Sequence, residues 1–304
     1  MSHDTTFDIG ALAQLACLLE VTAPKPGNVS TASAFRDTSY YDYLASAAAI
    51  GHPLGTVHTR PLGDTIHLAV QATRRWTTSN TNLGIILLLA PLARAAARGC
   101  AELATDTIHP DGLRGSLARV LSETTVDDAR AVYAAIRLAS PGGLGSAPEQ
   151  DVASDPTVTL TEAMRLAADR DGIAHEYATD FLTTFQVAVP ALLAARQSGL
   201  DWNDAIVETY VTLLATSPDT HIVRRAGAAR ATEVSRQARG VLFRGGVRTV
   251  DGRGAIAQLD RQLRDANNIA NPGTTADLTA AGIFVVLLAG GRHSATGGAH
   301  ATSR

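Results

Sequence analysis

The sequence predicts an all-α protein built as a single large multi-helix domain. Apolar residues recur at intervals of three and four in nearly every segment, as at Ile9, Leu12, Leu15, Ala16 and Leu19, which places them on one face of a helix. Period-two alternation, which indicates half-buried strands, is almost absent. The composition, with 45% hydrophobic and only 5% aromatic residues, is rich in helix formers and is typical of a globular chain.

The predicted helices begin and end at residues that suit helix termini. Thr159 and Glu162 form a capping-box pattern, and Asp201 can cap the helix that follows it. Pro218 suits a first helical turn, and a break is expected near Gly172. The predicted helices span residues 7–21, 39–50, 62–77, 81–98, 111–122, 126–139, 160–197, 202–216, 218–243, 253–267 and 274–290.

The chain of 304 residues is long enough to bury most of its apolar surface in a core. Nothing resembling a low-complexity linker divides it, and the loop 140–159 carries too many closely placed glycines to be read as a simple hinge. We therefore predict one helical domain over residues 1–290. The small, polar tail "RHSATGGAHATSR" follows it, and residues 291–304 are predicted to be disordered.

Charge and local composition narrow the classes of partner. A formal net charge of -3 provides no basic surface for nucleic acid, so a phosphate-bearing ligand would need local positive charge. The start "MSHDTTFDIG" lacks a basic region followed by an apolar run, and the longest apolar runs fall short of the ~20 residues of a membrane span. We expect a cytoplasmic protein without a membrane partner, with Cys17 and Cys100 as buried thiols.

Five polar stretches interrupt the helical pattern, and each lies where a helix begins or ends. Helix N-termini offer unpaired N–H groups and partial positive charge, and glycines allow close approach of the backbone, so such stretches can hold phosphate oxygens. The stretches are "EVTAPKPGNVS" (20–30), "TSNTNLG" (78–84), "SPGGLGSAPEQDV" (140–152), "SPDTHIVRRAG" (217–227) and "NPGTTADL" (271–278).

Helix capping is the competing explanation for each stretch taken singly. Asn80, Thr81 and Thr274 are good capping residues. Five such turns, together with Lys25, Arg224 and repeated acids, exceed what capping requires. The sequence leaves open whether the stretches meet in space, and Arg225 could equally be a solvated helix charge.

Three acids in these stretches are candidates for chemistry. Glu20 lies at the end of the first helix, where a carboxylate opposes the helix dipole, so its position indicates a ligand or a cation partner. Asp219 and Asp277 are predicted in the first turns of their helices, where an acid is also favourable for purely structural reasons.

Other clusters give weaker signals. Asp171 with His175, and Glu176 with Asp180, have the i, i+4 spacing that shares a helical face, so they could bind a cation or form a solvated acidic face. The scattered histidines show no zinc-binding spacing. Glycine motifs of strand-based nucleotide sites and a nucleophile elbow are also missing.

In combination, the five stretches identify a family resemblance. The order "PKPGNV", "NTNLGIILLLAPL", "PGGLG", "PDTHIVRRAG" and "NPGTTADLTAA" resembles the triphosphoribosyl-dephospho-CoA synthase family over about residues 20–290. The resemblance implies an all-helical fold and a transferase that moves the triphosphoribosyl group of ATP onto 3'-dephospho-CoA and releases adenine.

The resemblance also implies roles for the residues of the five stretches. Glu20, Asp219 and Asp277 are the candidate catalytic acids, and Asp219 and Asp277 are the candidate ligands of Mg²⁺, which would accompany ATP. Glu20 is the candidate for a base or for ribose contacts. The candidate nucleotide-binding residues are Lys25, Gly27, Asn80, Thr81, Gly84, Gly142, Gly143, Arg224, Arg225, Gly273, Thr274 and Thr275.

One departure from the family pattern bears on the acceptor. Where family members typically read Asn-Thr-His-Lys-Gly, this chain has Asn82 and Leu83 in place of the His-Lys pair. An ATP-dependent enzyme of another cofactor pathway, for example a pterin-linked one-carbon cofactor, is therefore one alternative, and a non-catalytic nucleotide-binding protein is another. The expected partners are small molecules, a nucleotide and a CoA-like or other cofactor precursor, and paired helices also allow a homodimer.

Overall fold

The structure is a computed structural model that describes residues 8–31, 38–103, 108–143, 145–264 and 268–290. Throughout these ranges the regular structure is helical and contains no β-strand, which confirms the all-α prediction. The predicted tail 291–304 and the first seven residues of the predicted domain lie outside the described residues.

The α-helices pack around one shared apolar core. They are α1 (Ile9–Thr22), α2 (Tyr40–Ala49), α3 (Gly51–Gly55), α4 (Leu62–Arg74), α5 (Leu83–Leu103), α6 (Pro110–Ser122), α7 (Val126–Ala139), α8 (Leu160–Ala167), α9 (Gly172–Ala178), α10 (Val189–Gln197), α11 (Trp202–Thr216), α12 (Thr220–Ala226), α13 (Ala228–Phe243), α14 (Val250–Leu263) and α15 (Gly273–Leu288).

Helix α15 lies at the centre of this packing. From Leu278 to Leu288 every residue of α15 is buried, and the helix contacts α1, α5, α10 and α11. A helix that is apolar on all sides is stable only when other helices surround it. Each fully buried Leu, Ile or Phe contributes roughly 1.5–3 kcal/mol, so α15 holds its own N-terminus in a fixed place.

Helix α5 is the second central helix. Its segment Leu83–Glu102 has 20 residues and a mean hydropathy of 1.6, which is long and apolar enough to cross a membrane by length and composition alone. However, 72% of that segment is buried inside the protein, and α5 packs against α15, α4 and α6. The segment is therefore a core helix of the fold.

Two of the predicted capping arrangements are confirmed. Thr159 Oγ1 accepts a hydrogen bond from the backbone N–H of Glu162, and the Glu162 carboxylate accepts one from the backbone of Thr159. Asp201 caps α11 by accepting from the N–H of Asp204 at 2.8 Å. The prediction that Pro218 lies in the first turn of a helix is wrong, because Asp219 is the N-cap of α12 and the proline precedes it.

Two long predicted helices are each divided in the structure. The segment 218–243 breaks at Gly227, whose φ of +89° ends α12 and starts α13. The segment 160–197 breaks at Gly172, as predicted, and again at Asp180 and Phe181, which both have positive φ. A π-helical turn, Thr184–Ala188, then leads into α10.

Glu176 explains the second of these breaks. Its side chain is completely buried and accepts hydrogen bonds from the N–H groups of Thr183 (2.9 Å) and Thr184 (2.8 Å). Because Glu176 is buried while Asp180 is exposed, the two acids form neither a metal pair nor a solvated acidic face. The carboxylate instead caps the start of the next helical segment.

The two cysteines differ in their surroundings. Cys17 is buried in α1, as expected, and burial raises the pKa of its thiol well above the usual range. Cys100 is only half-buried, so the prediction was wrong for this residue. A buried thiol held in its neutral form is unreactive, and Cys17 therefore acts as a core residue.

Candidate active site

The five polar stretches meet around one cavity of about 530 Å³, a size typical of small-molecule sites. The ends of α1, α5, α12 and α15 supply one wall, and α7, α8 and the loop after α7 supply the other. The polar lining residues that come from the five stretches include Glu20, Asn28, Asn80, Thr81, Asn82, Ser140, Gln150, Asp151, His221, Arg224, Asn271, Thr274 and Asp277.

Glu20 lies at the C-terminal end of α1 with its side chain only 4% exposed, and it lines the cavity. Its cation partner is Lys25, whose Nζ lies 3.0 Å from Glu20 Oε1. Burial raises the pKa of Glu20, and the Lys25 ammonium opposes that rise. The unfavourable position at the end of the helix is thus explained by a cation partner within the protein.

Asp277 is the open carboxylate of the cavity. It is half-buried and lines the cavity, and no hydrogen-bond or ion-pair partner is found for it within the described ranges. Burial raises the pKa of Asp277 well above its usual range, and the charges of Glu20 and Asp219 raise it further. Asp277 lies one full turn into α15, rather than in the first turn as predicted.

Gly84 makes room for this carboxylate. A Cβ atom at position 84 would overlap the Asp277 side chain. Gly84 is the second residue of α5, so Asp277 lies beside the positive N-terminal end of that helix. The pairing of a small residue on one helix with an acid on another fixes where the carboxylate can point.

Asp219 lies outside the cavity lining, and its carboxylate is held by hydrogen bonds within the protein. It is 3% exposed and does not line the cavity. Its Oδ1 accepts from the N–H of Ile222 at 3.0 Å, and its Oδ2 accepts from both the N–H and the hydroxyl of Thr275 at 2.7 Å. Asp219 therefore joins the start of α12 to the start of α15 and sits behind the cavity wall.

Two long helices direct their N-termini at the cavity. Asn80, Thr81 and Gly84 line it at the start of α5, and Gly273 and Thr274 line it at the start of α15. The side chain of Asn80 caps α5 by accepting from the N–H of Leu83 at 3.2 Å, whereas α15 has no side-chain cap at Pro272. The N–H groups of Gly273 and Thr275 already donate to Asn271 and Asp219, so Thr274 is the candidate donor to an anionic ligand at this helix start.

Arg224 brings a positive charge to the same wall. Its guanidinium pairs with Asp171, which caps α9 by accepting from the N–H groups of Ile173 and Ala174. Both Arg224 and Asp171 line the cavity. The neighbouring His221 lies with Nδ1 2.9 Å from the carbonyl oxygen of Asn271, and burial lowers the pKa of its imidazole.

The structure brings most of the predicted site residues together. Lining the cavity are Glu20, Asn80, Thr81, Gly84, Gly142, Arg224, Gly273, Thr274 and Asp277. The residues that do not line it are Lys25, Gly27, Gly143, Asp219, Arg225 and Thr275.

The residues outside the cavity lining have structural contacts instead. The N–H of Gly27 donates to Asp260 at 2.8 Å, and Thr275 is hydrogen-bonded to Asp219. Gly143 supplies a positive φ of +79° in the loop after α7. Arg225 is exposed and reaches the carbonyl of Asn268 at 3.4 Å.

The wall made by α7 and α8 was missed at the sequence level. Its apolar residues Ile136, Leu160 and Met164, with Arg137 and Arg170, line the cavity. Ile136, Leu160 and Met164 match an ordinary amphipathic core stripe, so periodicity alone gave no reason to place them in a site. Arg170 stands beside Asp171 in "DRDG", and that charged turn before Gly172 was the available signal.

A resident magnesium site is not formed by the predicted pair of acids. The described ranges contain no group of three or more His, Cys, Asp or Glu side chains that could hold a metal ion. Asp219 and Asp277 do not form a donor pair, because Asp219 is buried and its oxygens accept hydrogen bonds from Ile222 and Thr275. The donor set therefore does not fit a metal that belongs to the protein itself.

The Asn82–Leu83 departure is accommodated by local packing. Asn82 is buried and donates from Nδ2 to Thr73 Oγ1 at 3.1 Å and to the carbonyl of Ser46 at 3.4 Å. Leu83 is also buried, and both residues line the cavity. This part of the wall is uncharged.

Comparisons with known proteins agree on one similarity. Residues 6–295 match the family model CitG, described as ATP:dephospho-CoA triphosphoribosyl transferase. A relative from Vibrio cholerae that carries the name 2-(5''-triphosphoribosyl)-3'-dephosphocoenzyme-A synthase is 27% identical over 294 residues, covering 90% of this chain and 85% of the relative. A relative of the same name from Pseudomonas syringae pv. tomato is 34% identical over 105 residues, covering 34% of this chain.

The extent of these matches varies. The matched segment spans 35% of the length of the relative from Pseudomonas syringae pv. tomato and 63% of one from Pseudomonas syringae pv. syringae. A crystal structure from Archaeoglobus fulgidus, named for a triphosphoribosyl-dephospho-CoA synthase, superposes with a TM-score of 0.63 at 26% identity. That similarity covers 83% of this chain and 99% of the other.

Proposed function

Because the chain belongs to the ATP:dephospho-CoA triphosphoribosyl transferase family, we propose that it moves the triphosphoribosyl group of ATP onto 3'-dephospho-CoA or a related cofactor precursor. In this reaction an acceptor hydroxyl attacks the anomeric carbon of the ribose, a C–O bond forms, and the C–N bond to adenine breaks. Adenine leaves with the bonding electron pair and takes up a proton, which balances the proton lost by the acceptor hydroxyl. The positive charge that develops on the sugar is one that carboxylates stabilise.

The observation that carries this proposal is the pair of acids, Glu20 and Asp277, on one cavity that two helix N-termini also face. Asp277 is open to the cavity, and burial, with the charges of Glu20 and Asp219, raises its pKa above the ordinary carboxyl value, which makes its ionised form a stronger base. We assign it to accept the proton of the acceptor hydroxyl. Glu20 is held by Lys25, and we assign it to stabilise the positive charge of the sugar.

We place the triphosphate of ATP in the same cavity. It carries roughly four negative charges, which need neutralisation in a site that already holds acids. Arg224 and the N-termini of α5 and α15 face the cavity, and the positive end of a helix dipole favours an anion. Arg137 on α7 and Arg170 in the turn between α8 and α9 also line the cavity and add positive charge.

Magnesium belongs to the substrate in this proposal. Mg²⁺ is commonly held mainly by substrate phosphates and water rather than by an all-protein site. We therefore expect calorimetry to detect no binding of Mg²⁺ alone, and tighter binding of ATP when Mg²⁺ is added. Saturable binding of Mg²⁺ to the ligand-free protein would contradict this assignment.

The decisive experiment measures adenine by chromatography after purified protein is incubated with Mg²⁺, ATP and dephospho-CoA. The wild type should release adenine in step with formation of the triphosphoribosyl product. Asp277→Asn should lower the rate by about 10²–10⁴-fold, the range for loss of a general base. The matched control is Asp251→Asn, which changes an exposed acid near the start of α14 and should leave the rate unchanged.

Two alternatives have distinct outcomes in the same assay. Adenine release with pterin-type or other acceptors, but not with dephospho-CoA, would favour a different cofactor pathway; the uncharged wall at Asn82 and Leu83 motivates that acceptor panel. Binding of ATP without release of adenine or phosphate would favour a non-catalytic nucleotide-binding protein.

A homodimer is the remaining proposal about partners. Leu15 and Leu18 on α1 and Tyr41 on the adjacent α2 are exposed apolar side chains, and exposed apolar groups of this kind favour association. Light scattering on the purified protein should give twice the monomer mass. A monomer at all concentrations would refute the proposal.

A further inference from the structure

Lys25 is a buried lysine whose three ammonium protons all have acceptors nearby. The residue is 1% exposed and does not line the cavity. Its Nζ lies 3.0 Å from Glu20 Oε1 and 3.2 Å from the carbonyl oxygen of Ala23, and it also donates to the carbonyl oxygen of Glu20. Two of the three ammonium donors are used by backbone carbonyls and the third faces the Glu20 carboxylate, and the Lys25 side chain is 0% exposed, so it does not reach a phosphate in the cavity.

The surroundings of Glu20 show why its pairing with Lys25 matters. Glu20 Oε1 is buried, and although it is 3.0 Å from Lys25 Nζ it has no well-aligned hydrogen bond. The other titratable groups that act on or respond to Glu20 are Asp277, Cys17 and Tyr210, from α15, α1 and α11. None of these three groups is a cation. Among the groups named here, Lys25 is therefore the one that offsets the negative charge of Glu20.

We propose that Lys25 is a positioning residue: it holds the Glu20 carboxylate against the cavity wall from behind and does not touch the nucleotide. The inference rests on the proposed function in that Glu20 must face the ribose of ATP. It also replaces the sequence-level assignment of Lys25 to the nucleotide. A buried carboxylate that loses its cation must turn away, take up a proton or destabilise the fold.

The main test is a double-mutant cycle on adenine release. Lys25→Met and Glu20→Gln should each lower kcat by a similar factor, about 10²-fold, and the double variant should be no slower than either single variant. Residues that act as one unit give such non-additive losses. The KM for ATP should change less than about threefold. If the loss of kcat in the double variant equals the product of the two single losses, the proposal is wrong.

A purely structural role for Lys25 predicts a different pattern. The rate per folded molecule would then be unchanged in Lys25→Met, and so would the pH profile of kcat. If Lys25 positions Glu20, the acidic limb of the pH profile of Lys25→Met should move to higher pH, because Glu20 loses the cation that favours its charged form. An unmoved limb would count against positioning.

Folding of the variants needs its own control. Lys25→Met leaves an unpaired buried carboxylate and could fail to fold. The double variant Lys25→Met/Glu20→Gln removes both charges, so it should unfold at a higher temperature than Lys25→Met. If the double variant is less stable than Lys25→Met, the two side chains do not act as a pair and the proposal fails.

Binding of ATP separates this inference from the proposed function, because it requires no turnover. Calorimetry should show that Lys25→Met binds ATP with an affinity within about threefold of the wild type, whereas Arg224→Met loses tenfold or more. A tenfold loss in Lys25→Met would make Lys25 a phosphate ligand and overturn the inference. Absence of adenine release by the wild type with every acceptor would refute the proposed function and leave the binding and stability comparisons of Lys25 decisive.

Discussion

Gly84 is the residue on which the position of Asp277 depends, and it gives a sharp prediction. A methyl group at position 84 would overlap the Asp277 carboxylate, so Gly84→Ala should displace the acid. We expect adenine release to fall by about 10²-fold, a loss typical when a catalytic group is misplaced by about an ångström. The circular dichroism spectrum should be unchanged.

The control for this substitution is Gly115→Ala in α6. Apart from the chain neighbours and the backbone of its own helix, no atom lies within 4 Å of the position that a Cβ would take at Gly115. Alanine in a helix interior is more favourable than glycine by roughly 0.5–1 kcal/mol, so Gly115→Ala should be slightly more stable and fully active. Equal activity of the two variants would show that Gly84 does not set the geometry of Asp277.

Asp277 also predicts how stability depends on pH. Its pKa is raised on folding by burial and by the charges of Glu20 and Asp219, so the folded state favours the neutral acid. Stability is therefore lost as pH rises from the ordinary carboxyl range to the folded pKa, and the loss persists above it. Asp277→Asn removes this cost.

Thermal unfolding of the ligand-free protein at several pH values checks this sign. The melting temperature of Asp277→Asn should exceed that of the wild type at pH 8, and the difference should shrink at pH 4, where both side chains are neutral. A difference that is the same at both pH values would mean that the Asp277 carboxyl has an unshifted pKa.

The sequence identifies which acids belong to the site region, but it does not determine the role of each. The position of Glu20 at a helix end indicated a partner. The sequence from Glu20 to Lys25, however, does not show whether the Lys25 side chain points at Glu20 or at a ligand. Asp219 and Asp277 had the same local pattern. Only the packing of α12 against α15, which is non-local, directs Asp219 into the protein and Asp277 into the cavity.

At the scale of elements, Asp219 joins two helices, and its substitution should separate stability from chemistry. Asp219→Asn would lose at least one of three hydrogen bonds to Ile222 and Thr275. Buried hydrogen bonds to a charged group contribute about 1.5–3 kcal/mol each. We expect a loss of that size in the free energy of unfolding, measured by urea titration.

The concentration of Mg²⁺ that gives half-maximal activity should be unchanged in Asp219→Asn. A magnesium ligand would behave differently, because its loss raises that concentration strongly. An increase of tenfold or more, with normal stability, would restore the original assignment of Asp219 to the metal.

The helices were predicted well because their apolar spacing is a local property, and their divisions were predicted less well. Gly227 ends α12 through a backbone conformation with φ of +89°, yet the segment 218–243 has a continuous helical pattern. The break at Phe181 depends on the buried Glu176 carboxylate, which binds two backbone N–H groups further along the chain. Helix propensity is a local property of the sequence, so it does not predict this contact.

At the scale of the whole molecule, the cavity is built from residues between Glu20 and Asp277, so ligand binding should stabilise the entire fold. A ligand that binds only the folded state at 100 times its Kd adds about 2.7 kcal/mol. Saturating ATP with Mg²⁺ should therefore raise the melting temperature by several degrees. The same addition should have little effect on Arg224→Met, and a full shift in that variant would exclude Arg224 from the nucleotide site.

The buried pair of Glu20 and Lys25 restricts how this protein can change over time. Loss of either side chain alone leaves an isolated charge in the interior, so a lineage can abandon the pair only by two nearly simultaneous substitutions. Across descendants of a common ancestor, acid at one position and lysine at the other should be inherited or lost together. A collection of related sequences in which each varies freely would show that the interior tolerates an unpaired charge at this spot.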